Sequence, residues 1–268
     1  MIRRLFEADR ARVMELAGRD PAINLFIIGD VENFGFDQDF MELWGECESP
    51  DGPLTAVMLR FYNSYLPYAD GAFDAEGFAG LIRSNPKAEM ISGAAGVVNA
   101  FDDKVTTREV KEMLFAELRE INEHLIQATA APGNIRTATV HDVEAICTLT
   151  DQIQEFLSST EDSRKSLHKT LESGTGRTYF IEQDGRVVAS ASATAENSLS
   201  AMLVAVATHP DYRGQGLATR VVAKLCTDLL AEGKSLCLFY NNPQAGLIYK
   251  KLGFSDIGTW MMMYMKKQ

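Results

Sequence analysis

The chain has 268 residues, of which 46% are hydrophobic and 24% charged, with 8 Pro and 20 Gly. That balance is an ordinary globular one and excludes collagen-like, low-complexity and disordered chains, and the length allows two modest domains or one large one. A formal net charge of −11 argues against nucleic acid and against an anionic membrane surface as partners, because both demand a basic footprint.

The opening residues Ile2-Arg3-Arg4-Leu5 read as a short strand, and Asp9 falls in the first turn of a following helix, where the helix dipole favours a carboxylate. Glu7 and Asp9 interrupt any apolar leader, and no apolar run approaches the ~20 residues that span a bilayer, so a cytoplasmic location is expected. Leu43–Glu48 and Leu54–Tyr62 flank the turn Ser49-Pro50-Asp51-Gly52-Pro53 as a hairpin. A helix over Ala75–Arg83, a strand near Ala88–Ser92 and a long amphipathic helix over Arg108–Leu125 follow. Gly93-Ala94-Ala95-Gly96 lacks an adjacent basic residue and reads as a strand-to-helix turn rather than a phosphate cradle.

Small residues with Pro132 and Gly133 in Ala128–Asn134 punctuate the chain as a linker, dividing it into domains 1–130 and 131–268. Residues 1–134 carry 12 Lys and Arg against 23 Asp and Glu, whereas residues 135–268 carry 14 of each, so the whole acidic excess lies in the first half. After the linker the chain begins again. At a constant offset of 133, Ile2, Arg3 and Asp9 recur as Ile135, Arg136 and Asp142, each set within a strand, a turn and a helix.

In the second half, Arg177–Gln183 and Arg186–Ala195 form a hairpin about Asp184-Gly185, and a third strand spans Ser200–Thr208. A helix from about Gly216 to Ala231 ends at Gly233, and Ser235–Tyr240, Pro243–Leu252 and the apolar end Gly258–Met265 read as strand, helix and strand. The run Met261-Met262-Met263 belongs to a strand core rather than to a cofactor box. Cys47, Cys147, Cys226 and Cys237 lie far apart, with no CxxC pair, so neither a disulfide framework nor a metal site is expected.

The segment from Val206 through Thr208, His209 and Arg213 to Thr219 runs from strand through a Gly-containing turn into a helix. Arg213-x-x-Gly216-x-Ala218 puts small residues where backbone must approach a ligand, at a helix N-terminus whose free N–H groups and positive dipole end bind phosphate oxygens. With Asn242-Pro243-Gln244-Ala245-Gly246-Leu247-Ile248-Tyr249-Lys250-Lys251-Leu252-Gly253-Phe254 at the right distance beyond it, the sequence resembles the GNAT superfamily of acyl-CoA-dependent N-acetyltransferases over roughly residues 135–268. The first half, which lacks an Arg-x-x-Gly-x-Ala counterpart, then reads as a degenerate second copy of a tandem protein. The expected fold is α+β, a mixed α/β architecture with a GNAT-like second half.

The resemblance implies acetyl-CoA as cosubstrate. It implies that Val206 and Thr208, flanking Ala207, pair with the pantetheine amides through their backbones. It implies that N–H groups across Gly214, Gln215, Gly216, Leu217, Ala218 and Thr219, with the Arg213 side chain, hold the pyrophosphate, and that Asn242 contacts the pantetheine arm. Tyr249 would protonate the departing thiolate, since a phenol with a reference pKa near 10 keeps its proton at neutral pH. Family members commonly supply a carboxylate base from the strand before the loop, yet Leu199 to Thr208 hold no Asp, Glu or His, leaving Glu196 and His209 as flanking candidates. The acceptor is expected to be a small-molecule or peptide amine, cationic in view of the acidic first half, which is expected to help form its site. A noncatalytic acyl-CoA-binding or sensory module is the competing reading. A third, an aminoacyl-tRNA-dependent transferase, is opposed by the intact loop and the acidic surface.

Overall fold

A computed structural model describes residues 1–122, 135–153 and 160–266. Ala128–Asn134, the expected linker, lies outside the described residues. The fold is mixed α/β and comprises two compact units: Met1–Phe115 with Phe239–Asn241 and Asp256–Gln268, and Ala116–Leu238 with Asn242–Ser255.

The first unit starts with β1 (Ile2–Arg4), a 3-10 turn Glu7–Asp9, α1 (Arg10–Ala17) and α2 (Leu25–Phe34). The meander β2 (Met41–Cys47), β3 (Leu54–Phe61) and β4 (Ser64–Ala69) follows, then α3 (Ala75–Arg83), β5 (Met90–Ala94), the one-turn α4 (Ala95–Val98) and β6 (Thr107–Leu118). Along β2 buried and partly exposed residues alternate, the signature of a strand with one face on the core. Strands β1 to β4 are mutually antiparallel and β5 joins β4 in parallel, at Ser64↔Met90 and Tyr65↔Ile91. Beside β5 lies β12 (Ser255–Met265), antiparallel from Trp260↔Ala94 to Tyr264↔Met90, with β6 next to it.

One element differs from expectation. Residues 108–118 form a strand, not the first part of a helix. Arg108, Glu109, Lys111 and Glu112 favour a helix by intrinsic propensity, but that preference is worth only tenths of a kcal/mol per residue and yields to sheet pairing and to burial of Phe115 to Leu118. Arg108 and Lys111 lie over the Tyr264 ring of the neighbouring strand, at 5.6 and 5.2 Å. The apolar end of the chain pairs with β5 of the first unit, where Met261, Met263 and Met265 enter the core around Phe78, Ile82, Ile91 and Phe101. Their period of two does make the methionine run a strand core.

The second unit opens with β7 (Ile135–Thr137), a 3-10 turn Val140–Asp142 and α5 (Val143–Thr150), followed by α6 (Thr160–Ser173). Each bound of the first three repeats, at an offset of 133, that of β1, Glu7–Asp9 and α1. The bonding repeats as well. Asp9 accepts from the Phe6 amide at 3.0 Å and pairs with Arg3, and Asp142 accepts from the Thr139 amide at 2.8 Å and pairs with Arg136. The duplication is therefore present in structure where few side chains record it.

The sheet of this unit runs β11 (Ser235–Tyr240), β10 (Ser200–Thr208), β9 (Arg186–Thr194), β8 (Arg177–Gln183), β7, with α7 (Leu217–Ala231) and α8 (Pro243–Leu252) completing the unit. Asp184 and Gly185, at φ 50° and 74°, make the β8–β9 turn the primed type that suits strand twist.

Candidate functional site

Strand β10 is built to leave part of its backbone open. It pairs in parallel with β11 at Ser200, Ala201 and Met202, while its antiparallel pairing with β9 continues to Thr208↔Ala189. The β9 register slips between Val204 and Ala207, where Ala205 takes φ 51°, a left-handed conformation rare for a residue with a Cβ. Beyond Met202 the β11-facing backbone, including Val206 and Thr208, has no ladder partner from β11. Ala207 is buried in the core, and the buried Thr208 Oγ1 has no hydrogen-bond partner among the described residues.

After the strand, His209 caps the turn Pro210–Tyr212, its Nδ1 accepting from the Asp211 amide at 3.2 Å. Arg213 follows, exposed, with Nε 3.5 Å from the Thr208 carbonyl. Gly214 and Gly216 have φ 78° and 72°, conformations that L side chains adopt at a cost, and a Cβ on either would meet open space. Here glycine serves backbone shape and leaves the surface bare. Helix α7 starts at Leu217, which is 3% exposed and anchors the turn in the core, while Gln215 is exposed and Ala218 and Thr219 are half-buried. No side chain caps the helix at Gly216, so its first amides are available to a ligand.

The corresponding stretch of the first unit, between β4 and α3, is closed by its own carboxylates. Asp74 accepts from the Gly77 amide at 2.8 Å and Glu46 accepts from the Asp74 amide at 2.9 Å. A phosphate there would displace one carboxylate and be repelled by the other.

Asn242 caps α8, its Oδ1 accepting from the Gln244 amide at 2.9 Å, which leaves its amide nitrogen as the group for a ligand. Tyr249 is 8% exposed and packs edge-on against Phe254 at 5.8 Å. Burial, with the nearby Cys226, pushes its phenol up to about 12. The glycine of Leu252-Gly253-Phe254 is set by geometry: at φ 113°, a Cβ would stand 2.8 Å from the Glu120 carbonyl.

Of the two base candidates, Glu196 stands apart from this constellation and His209 belongs to its turn. Glu196 precedes β10, at the end opposite the loop, and both its oxygens bond the Arg177 guanidinium at 2.9 and 2.8 Å with Lys234 at 3.0 Å. Both its oxygens are thus engaged in an ion-pair network with Arg177 and Lys234. His209 is 5% exposed, with Arg186 at 3.3 Å from Nε2 and the Asp211 amide on Nδ1, and it shapes the turn.

A cavity of about 380 Å³ lies against the bulge, lined by Val204 and Ala205 together with Cys147, Asp151, Thr178 and Ser192. Arg164 binds Asp151 at 2.6 Å, and the Thr178 and Ser192 hydroxyls share a bond of 2.7 Å. Neither the bulge nor this cavity had a sequence signal, because alanine is unremarkable in a strand and the lining residues come from distant segments. Among the described residues, no group of three or more His, Cys, Asp or Glu could hold a metal ion, and no helix is long and apolar enough to cross a membrane.

The family model of GNAT acetyltransferases matches residues 89–263, more than half of the chain. An uncharacterized N-acetyltransferase, ycf52, of Gracilaria tenuistipitata var. liui is 27% identical over 117 residues, 43% of this chain and 61% of that protein. The chain thus spans about three fifths of that relative's length. Among solved structures, a tandem GNAT protein from the clavulanic acid biosynthesis pathway aligns with TM-score 0.63 and 12% identity over 100% of this chain and 98% of its own. A Drosophila protein aligns with TM-score 0.67 and 10% identity over 99% and 98%. At these identities the likeness is one of fold.

Proposed function

The chain belongs to the GNAT acetyltransferase family, and on that premise we propose that its second unit transfers an acetyl group from acetyl-CoA to a primary amine in the cytoplasm. The observation that carries this reading is the uncapped start of α7 behind Gly214 and Gly216, next to a strand whose backbone is left open beyond Met202. The residues fit the cosubstrate. Amides from Gly214 to Thr219 with Arg213 would hold the pyrophosphate, the open backbone of Val206 and Thr208 would pair with the pantetheine amides, and the Thr208 hydroxyl and Asn242 amide nitrogen offer further bonds.

Bound acetyl-CoA supplies the activated acyl group. Tyr249 faces a simple constraint: a phenol at about 12 holds its proton more tightly than an ordinary thiol near 8.5, so complete transfer to a departing thiolate is uphill. Tyr249 therefore acts by donating a hydrogen bond to the developing sulfur charge rather than as a full acid. The cavity beside Ala205, with its hydroxyl and carboxylate lining, would take the acceptor. The acidic excess of residues 1–134 favours an acceptor with net positive charge, such as a polyamine, an aminoglycoside or a basic peptide end.

The engagement of Glu196 by Arg177 and Lys234 favours one competitor, a noncatalytic acyl-CoA-binding module. Thiol release from acetyl-CoA over a panel of amines separates the two. The enzyme reading predicts release that depends on the amine, with an acetylated product, whereas binding without release for any amine supports the module.

A further inference from the structure

Helix α2 of the first unit places Phe26 and Asp30 one turn apart on one face, both half-buried. The Phe26 ring stacks on Phe239 at 6.3 Å and tilts against Trp260 at 6.1 Å, while Phe239 and Trp260 lie 4.8 Å apart. Phe115 backs both, at 5.0 and 5.2 Å, and Trp260 is fixed by its Nε1–H donating to Ser92 Oγ at 2.7 Å. All these residues belong to the first unit. They form a rigid aromatic wall whose outer rings, Phe26 and Phe239, remain partly open.

Along from this wall stands a carboxylate that no donor among the described residues satisfies. Arg19, the cation nearest in sequence, pairs with Asp70 and Glu15, and on α1 Arg10 is committed to Glu7 and the Val31 carbonyl and Arg12 to Asp9. Glu32 on the same helix is exposed. Burial without compensation pushes Asp30 up to about 7. An unpartnered, half-buried carboxylate is costly to keep, and structural packing gives no return for it here. Aromatic faces beside a carboxylate are the chemistry that recognises organic cations, the rings meeting the carbon substituents and the carboxylate the charge.

We propose that Phe26, Asp30 and Phe239 form a binding site on the first unit for an organic ammonium ion. Its occupant is a small organic cation distinct from the acceptor, which the cavity beside Ala205 would take.

The test uses the full chain labelled with 5-fluorotryptophan, whose two tryptophans, Trp44 and Trp260, give two fluorine resonances assigned through Trp44→Phe. Titration with n-butylammonium chloride at ~pH 8, where Asp30 is ionised, is expected to shift the Trp260 resonance saturably, and n-butanol, the neutral analogue, is expected not to. Asp30→Asn is expected to weaken binding by about tenfold or more, and Phe26→Leu by a smaller factor. Undiminished affinity in Asp30→Asn, or no saturable response at Trp260, overturns the site. So does a lower unfolding temperature for Asp30→Asn at that pH, because an unpartnered charge stabilises nothing. The titration needs no acetyl-CoA, so its outcome is independent of the proposed transfer.

Discussion

At the scale of single residues, Tyr249 and Asp9 show how environment decides what a side chain does. General acid assistance is typically worth about 10²–10⁴-fold, but in the proposed transfer a phenol raised to about 12 would supply only a hydrogen bond, so Tyr249→Phe should lower kcat by about 10²-fold or less while leaving acetyl-CoA affinity unchanged. Single-turnover kinetics with calorimetry check both halves, and a loss well above 10³-fold would restore full proton transfer. Asp9 is shifted the other way: hydrogen bonds from Arg3, then the Phe6 amide and Arg12, hold it far below the usual carboxylate range against the cost of burial. A depressed folded-state pKa contributes stability that is present above the unfolded value, near 4, and is lost as pH falls below it. Asp9→Asn should therefore lower Tm at neutral pH, with the gap from the parent narrowing as the medium is acidified below ~pH 4. Equal Tm values at neutral pH would show that the Arg3–Asp9–Arg12 cluster contributes nothing. Asp30 had no signal in the sequence, because an aspartate in a helix is ordinary until its neighbours are known.

Among elements, legibility followed how local the determinants are. The hairpins about Ser49–Pro53 and Asp184-Gly185, α3, α7 and α8 were readable because turn chemistry, caps and periodicity sit within each segment. Strand β6 was not. Its first half is written in helix-favouring residues, and only strands more than a hundred residues later, β12 and β11, make it a strand. Helix α2 and the bulge at Ala205 escaped for a related reason, since apolar runs such as Leu25–Ile28 fit either element and a bulge is defined by its partner strand. The loop Arg213–Gly216 was legible because both its glycines and its flanking elements are local. What the structure adds is the contrast with the start of α3, where Asp74 occupies the Gly77 amide and Glu46 the Asp74 amide. Two copies of one topology thus differ in whether the helix start is bare or self-capped.

For the whole molecule, a charge of −11 sets a negative field that favours encounter with cationic ligands and is screened by salt. Once an acceptor is found, its kcat/KM should fall as salt rises from about 10 mM to about 300 mM, where the Debye length shortens from ~30 Å to under ~8 Å; a flat profile would make the acidic excess a matter of solubility alone. The exchange of segments between the units, with the final strand in the first unit's sheet, was hidden because a strand's sequence does not name its partner. The central claim, that the start of α7 alone holds the cosubstrate's phosphates, is tested most directly by calorimetric titration of acetyl-CoA into the parent and into Gly216→Asp, which sets a carboxylate at the bare helix start. One molecule bound per chain in the parent, and none in a Gly216→Asp protein with an unchanged circular dichroism spectrum, is the result expected; two molecules per chain, or undiminished binding in the variant, would contradict it.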